Sequence, residues 1–231
     1  QNPHEYLIEQ LQFTGDESVG SSSNKIKLNF NHPCKELVWV VQPDENVDYC
    51  ASLSGNSLLF NCMGAQPFNY TDAVDALPNS LSAFGSAAAN DAVITASGLF
   101  QDGDAEAAGT ASAVSDAGTF VLGEAALDMH CWGLNPVVVA KLQLNGQDRF
   151  SEREGTYFDQ VQPFQAHTRA PDTGINVYSF ALRPEEHQPS GTCNFSRIDN
   201  AVLQLVLSSN TVSGDRTAKV RVYAVNYNVL R

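Results

Sequence analysis

The residue types that most often carry out chemistry are present in this sequence, but they are not spaced for it. The five histidines show neither His-x-x-x-His nor His-Glu-x-x-His spacing. They are His4, His32, His130, His167 and His187. A zinc site needs four ligands at recognisable spacing, and a cupin-type enzyme needs clustered histidines. The sequence therefore predicts no metal site.

Nucleophilic and carboxylate chemistry is equally unsupported. Cys193 lies in a polar loop beside hydroxyl residues, but a nucleophile needs a base positioned next to it, and no base can be assigned. The acidic pairs Glu185-Glu186 and Glu152-x-Glu154 are typical of a solvated edge, whereas glycoside hydrolysis needs two carboxylates facing each other across a cleft. We therefore predict that the protein is not an enzyme and holds no cofactor.

The cysteines form an odd, scattered set without a Cys-x-x-Cys pair. They are Cys34, Cys50, Cys62, Cys131 and Cys193. A secreted disulfide scaffold has a denser and even-numbered set. We interpret these residues as reduced thiols of a protein made in the cytosol.

Composition excludes further classes of function. The 231 residues carry 26 acidic and 13 basic side chains, a net charge of -13, and nucleic-acid surfaces need clustered Lys and Arg. No apolar run approaches the roughly 20 residues of a membrane-spanning helix. We therefore expect no direct contact with nucleic acid and no transmembrane segment.

The charges are distributed unevenly along the chain. Residues 36–140 contain thirteen acidic side chains and no Lys or Arg. The middle of this stretch is rich in Ala, Gly and Ser, which is typical of a flexible acidic linker, but apolar residues such as Phe84, Leu99 and Phe120 recur in it. We favour a long ordered surface insertion with short strands, at about residues 43–132, within a single domain spanning residues 1–231.

The flanking regions carry strong strand signals. Residues 25–30 alternate strictly between polar and apolar types, which predicts a half-buried strand, and Pro33 marks the turn that follows. Residues 137–144 lead into Asn145-Gly146, a hairpin signal. Further strands are predicted at residues 37–41, 174–182, 201–207 and 218–230, with one short helix at 154–162. Residues 5–13 fit either a helix or a strand, and their β-rich neighbours favour a strand. The sequence thus predicts an all-β, antiparallel, eight-stranded jelly-roll sandwich with a long acidic insertion loop.

Several separate motifs, in order, resemble the major capsid proteins of the nucleocytoplasmic large DNA viruses, especially the algal-virus and mimivirus-like branches. The motifs lie at residues 5–15, 28–39, 144–150, 153–158, 161–164, 189–200 and 227–231. The resemblance covers both ends of the chain and lapses between about residues 44 and 133.

The resemblance implies a structural role. Family members carry two jelly rolls in tandem, and three chains form a pseudo-hexagonal trimer that tiles an icosahedral shell. This chain resembles the second, C-terminal jelly roll, with the family's variable outward loop at the acidic insertion. The implied partners are further copies in a homotrimer, neighbouring capsomers and minor capsid proteins beneath the shell. The implied location is the virion, assembled in the cytoplasm of the infected cell.

Polar loop residues within these motifs are the candidate structural and assembly sites. They are Asn145, Gln147, Asp148, Arg149, Arg197 and Asp199. Bidentate Arg–carboxylate bonds could fix such loops. We expect Arg197 and Asp199 either to stabilise the loop before the strand at 201–207 or to reach a neighbouring chain, and simple turn capping is the alternative.

A carbohydrate-binding jelly roll of the lectin type is the competing reading. Such a module needs exposed aromatic platforms or calcium ligands on one face. Trp39 lies in an apolar strand and Trp132 borders the insertion, so neither forms an evident platform.

Overall fold

A computed structural model of the chain describes residues 3–47, 67–72 and 134–231. The chain divides into two compact units. The first contains residues 1–43, 70–72 and 134–231, and the second contains residues 44–69 and 73–133. The structure describes the first unit almost completely, and all the strands below belong to it.

Ten strands, three short α-helices, one π-helical turn and one 3₁₀ turn lie in the described part. The strands are β1 (Tyr6–Val19), β2 (Ser23–Lys27), β3 (Pro33–Pro43), β4 (Val137–Leu144), β5 (Gln147–Asp148), β6 (Arg153–Glu154), β7 (Asn176–Ser179), β8 (Cys193–Asn194), β9 (Ala201–Leu207) and β10 (Ala218–Leu230). The α-helices are α1 (Asp44–Val47), α2 (Gln162–Ala166) and α3 (Ser209–Val212), and a π-helical turn at Tyr157–Val161 leads into α2.

The strands form two five-stranded antiparallel sheets. The first sheet has the order β1-β10-β3-β7, with β8 also paired to β3, and the second has the order β2-β9-β4-β5, with β6 also paired to β4. The first four strands alternate between the two sheets, and so do β9 and β10. This is the connectivity of a jelly roll, so the predicted all-β antiparallel sandwich is confirmed.

The core lies between the sheets and is filled by the inward residues of each strand. Trp39 and Phe158 are fully buried, with ring centroids 5.1 Å apart. Leu142 and Leu203 meet them from the second sheet. On β2, Ile26 is buried while its neighbours are exposed, so the predicted half-buried strand is confirmed.

Several element boundaries differ from the prediction. The strand predicted at 5–13 continues to Val19, the one at 25–30 lies at Ser23–Lys27, and the one at 37–41 already begins at Pro33. The strand predicted at 174–182 is only Asn176–Ser179, because the Ser179 hydroxyl donates to the carbonyl of Ala181 and accepts from its N–H, which turns the chain. The helix predicted at 154–162 continues to Ala166. Gln162 and Pro163 are buried on the same side as Phe158, and this packing carries the helix further.

Two short elements near the end of the sandwich were not predicted. These are β8 and a 3₁₀ turn at Phe195–Arg197, both too short to leave a periodic pattern. Among the helices in the described ranges, none is long and apolar enough to cross a membrane.

Candidate assembly surfaces

Asn145 organises the loops at one end of the sandwich. It lies with Gly146 in the tight turn between β4 and β5, with φ angles of 51° and 79°, as a type I′ turn requires. Its side-chain oxygen accepts hydrogen bonds from the backbone N–H groups of Asp199 and Asn200 at 3.0 and 3.1 Å, and its own N–H donates to the carbonyl of Asn200 at 2.7 Å. One asparagine thus joins two loops that are more than 50 residues apart.

The predicted Arg–carboxylate bonds are not found in these loops. Within the described ranges, Arg149 and Arg197 form no ion pair, and both side chains are exposed. Asp148 pairs with Lys141 at 2.8 Å, and this ion pair together with the Gln143 amide holds the pKa of Asp148 below its usual value. Hydrogen bonds between the Asn145 side chain and backbone N–H groups, rather than Arg–carboxylate bonds, therefore fix these loops.

The remaining loop residues are placed as follows. Asp199 is held through its backbone N–H, and its side chain is exposed. Arg197 ends the 3₁₀ turn that Asn194 caps, where the Asn194 side-chain oxygen accepts from the N–H of Ser196 at 3.0 Å. Gln147 is exposed in β5. The side chains of Arg197 and Asp199 are both exposed, and their contact with a neighbouring chain stays a prediction.

We expect Asn145→Ala to lower the free energy of unfolding by about 1–2 kcal/mol. The substitution removes two hydrogen bonds and places alanine at a positive φ that it disfavours. Chemical denaturation measures the change. Gln147→Ala in the same hairpin is the control and should shift stability by no more than about 0.5 kcal/mol. Equal stability of the two variants would contradict this role.

A bidentate Arg–carboxylate bond does occur, at a place that the sequence did not reveal. The Arg221 guanidinium donates to both carboxylate oxygens of Asp16, at 2.8 and 3.3 Å, and to the Gln42 side chain at 2.7 Å. Arg221 holds the pKa of Asp16 below its usual value. The pair joins β1, β10 and β3 on the side of the first sheet that faces away from the core. The alternation of polar and apolar residues along β10 does indicate that Arg221 points away from the core, but it does not identify Asp16 as its partner.

Next to this ion pair, the same side of the first sheet carries exposed apolar residues. Leu11 lies opposite Val225, and Phe13 lies opposite Tyr223, with their rings stacked at 4.7 Å. Val38 flanks Tyr223 on the other side. Leu11 is 67% exposed and Phe13 is 47% exposed. We name these five residues the apolar face.

Polar residues border the apolar face at the opposite end from Arg221. Lys35 is almost fully buried and pairs with Glu9 at 2.7 Å, while its ammonium lies 5.5 Å from the ring centroid of Tyr227. Ion pairs thus stand at both ends of an apolar centre. This is the distribution of residues found in protein–protein interfaces.

Beside this ion pair, His167 bridges two glutamates. Its Nε2 lies 2.9 Å from Glu36 and its Nδ1 lies 3.2 Å from Glu185. Glu36 lies beside Val225 in the register of the first sheet. The hydrogen bond and charge of Glu36, helped by those of Glu185, raise the pKa of His167 despite partial burial. This bridge ties the end of α2 to β3 and to the loop at residue 185.

The His167 bridge predicts a pH-dependent contribution to stability. Because the folded pKa of His167 is raised above 6.5, its contribution is complete below that pH and is lost as the pH rises through the folded pKa. The pKa of Glu185 is lowered from 4.5. The stability that its carboxylate contributes is therefore lost only as the pH falls through this lowered pKa. His167→Gln should therefore cost most near about pH 5–6, about 1 kcal/mol for the bond to Glu36.

Thermal unfolding of the unmodified protein and of His167→Gln between pH 4 and 9 measures this difference in stability. His187→Gln is the matched control, because His187 lies 3.7 Å from Glu9 and its side chain is 61% exposed. A stability difference for His167→Gln that stays constant across this pH range would contradict the bridge.

No reactive constellation emerges from the described residues. Burial raises the pKa of both Cys34 and Cys193, which disfavours the nucleophilic thiolate. Across residues 3–47, 67–72 and 134–231, no group of three or more His, Cys, Asp or Glu side chains could hold a metal ion. Trp39 is 0% exposed and cannot serve as a sugar platform. His130 and Trp132 lie outside the described residues.

The two antiparallel sheets and their connectivity define a jelly-roll protein. Residues 1–231 match the family described as large eukaryotic DNA virus major capsid protein. Over the whole chain, 76% of residues are identical to the major capsid protein of Phaeocystis pouchetii virus and 64% to that of Chrysochromulina ericina virus. A solved PBCV-1 virus capsid, a quasi-atomic model, has a chain that is 33% identical over the whole length, with a TM-score of 0.57.

The chain belongs to the major capsid protein family of large eukaryotic DNA viruses. Its relatives are structural proteins of the capsid, which agrees with the resemblance seen in the sequence. The chain spans about half of their length: 47% and 48% of the two viral relatives and 50% of the PBCV-1 chain.

Proposed function

We propose that the natural protein containing this chain is the building block of an icosahedral shell. Three copies associate into a pseudo-hexagonal capsomer, and residues 1–231 form the C-terminal jelly roll of each copy. The insertion at about residues 43–132 is the variable outward loop of that single domain.

The apolar face is the observation that carries this proposal. Soluble monomers rarely leave large contiguous apolar patches uncovered, and this one lies on three paired strands, β1, β10 and β3. The neighbouring strands β1 and β10 are paired along most of their length, so the face is a stiff surface. A second β-sandwich can cover it without rearrangement of the backbone.

The loops around Asn145 are a second point of contact in this proposal. Asn145 holds the Asp199 loop rigidly, while Arg149 and Arg197 remain exposed next to it. A guanidinium that lies free beside a fixed loop can form a bidentate bond with a carboxylate of a neighbouring chain. Arg197→Ala should then weaken assembly and leave unfolding unchanged. If neither property changes, Arg197 has no role in assembly.

The same proposal assigns partners and location. The protein contacts other copies, neighbouring capsomers and minor capsid proteins, and it is found in the virion shell after assembly in the host cytoplasm. The net charge of -13 supports a shell protein that does not bind nucleic acid directly.

Light scattering on the purified natural protein is the direct test. A mass of three chains supports the trimeric capsomer. A protein that stays monomeric at all concentrations, or that forms only dimers, would contradict it.

A further inference from the structure

A pocket beside α2 has a chemical character that the capsid role does not require. It has a volume of about 580 Å³, which is in the range of ligand pockets. Its lining residues are Asp159, Gln160, Val161, Phe164, Gln165, Ala170, Pro171 and Thr173. The pocket is open to solvent at Phe164, which is 84% exposed. The lining is mainly apolar and includes no Lys, Arg or His.

Asp159 is the one acidic group in this lining. The residue is only 2% exposed, and its Oδ1 forms no hydrogen bond with any residue that the structure describes. Its Oδ2 accepts a long hydrogen bond, 3.4 Å, from the N–H of Gly174. Burial raises the pKa of Asp159 in spite of this bond and of the nearby Asn135 amide. A carboxylate that is buried without a cation is costly to an isolated chain.

The backbone at Asp159 is also unusual. Residues Tyr157–Val161 form a π-helical turn, a rare conformation that occurs frequently at functional sites. Phe158 anchors one side of the turn in the core, where its ring lies 5.1 Å from that of Trp39. This anchoring places the next residue, Asp159, at the inner wall of the pocket.

The described residues supply no cation to Asp159. None of the Lys and Arg residues in the described part forms an ion pair with Asp159, and the nearest in sequence, Arg153, lies over the ring of Tyr157 at 4.6 Å. Residues 48–66 and 73–133 contain no Lys or Arg at all, and their only histidine is His130. A guanidinium or ammonium for Asp159 must therefore come from outside residues 1–231.

We propose that this pocket receives a Lys or Arg side chain from a separate, basic protein, with the charge on Asp159 and the carbon stem against Val161, Phe164 and Pro171. Long basic side chains combine an apolar stem with a charged head, which matches an apolar entrance and a carboxylate at the inner wall.

A separate protein fits better than a second copy because of charge. The chain carries a net charge of -13, so copies repel each other at long range while a basic partner is attracted. This inference goes beyond the capsomer proposal and does not rest on it.

The test uses n-butylguanidinium as the probe and n-pentanol as its uncharged counterpart, with binding followed by backbone amide shifts of residues 159–173. We expect saturable binding of the guanidinium, at least tenfold weaker binding to Asp159→Asn, and unchanged binding to Asp172→Asn, whose acid is exposed and outside the lining. Phe164→Ala, at an exposed position, should weaken binding several-fold without affecting the fold. Equal binding of n-pentanol, or full binding to Asp159→Asn, would overturn the proposal.

Two further measurements keep the outcome decisive. If Asp159→Asn does not fold, the pH dependence of probe binding to the unmodified chain replaces it: binding must fall as Asp159 is protonated, and binding that is independent of pH would overturn the proposal. Light scattering then identifies the source of the cation. Assembly that is unchanged in Asp159→Asn supports a separate protein, whereas loss of assembly would assign the cation to a second copy and overturn that choice.

Discussion

Leu11→Asp in the natural protein is expected to abolish assembly and leave a folded protein of single-chain mass. Leu11 is the most exposed residue of the apolar face, at 67%, so a carboxylate there is solvated in the monomer. In a closed interface the same charge would be buried without a partner, at a cost of several kcal/mol. Light scattering measures the mass, and far-UV circular dichroism reports whether the sheets are retained.

Leu182→Asp is the matched control for this experiment. Leu182 is even more exposed, at 81%, but it lies in a loop outside the apolar face. This variant should assemble normally. Normal assembly of Leu11→Asp, or equal loss of assembly in both variants, would show that the apolar face is not the interface.

Trp39→Ala is expected to reduce the free energy of unfolding by about 3–5 kcal/mol. Trp39 is 0% exposed and contacts Phe158, which anchors the π-helical turn. The substitution leaves a cavity between the two sheets that the stiff surrounding strands cannot fill. Because domains of this kind are stable by only about 5–15 kcal/mol, the variant should be largely unfolded in mild denaturant. Equilibrium denaturation followed by tyrosine fluorescence measures the loss.

Val206→Ala provides the comparison for the core substitution. Val206 is 38% exposed on the outer side of β9, so its truncation should change stability by about 0.5 kcal/mol or less. A loss below about 1 kcal/mol for Trp39→Ala would mean that the two sheets do not depend on this residue for their packing.

The strands that the sequence predicted well are those whose two sides face different surroundings. In β9 and β10 apolar residues point inward at every second position, and the predicted bounds agree with the structure. The strand at 174–182 was predicted too long because its composition favours a strand throughout. A side-chain hydrogen bond of Ser179 ends it, and such a bond leaves no periodic trace.

The surfaces were harder to predict because their residues meet only in the folded chain. Arg221 and Asp16 are 205 positions apart, and His167 is 131 positions from Glu36. Sequence reasoning chose the loops around Asn145 and Arg197 as assembly sites, which stays a prediction, and it assigned the hydrogen bonds that fix these loops to the arginines rather than to Asn145. The short side chain of Asn145 reaches the backbone of the loop that it contacts. The long side chains of Arg149 and Arg197 extend into solvent instead.

The pairing of β10 between β1 and β3 has a consequence for biosynthesis. The first strand of the sandwich leaves the ribosome roughly 200 residues before the strand that completes its sheet, and until then the edges of β1 and β3 stay open to other strands. Nascent subunits on neighbouring ribosomes could exchange strands during this interval, and such open edges favour aggregation. The first sheet can therefore close only after β10 has been synthesised, and a molecular chaperone that shields β1 and β3 in the meantime should raise the yield of correctly folded protein.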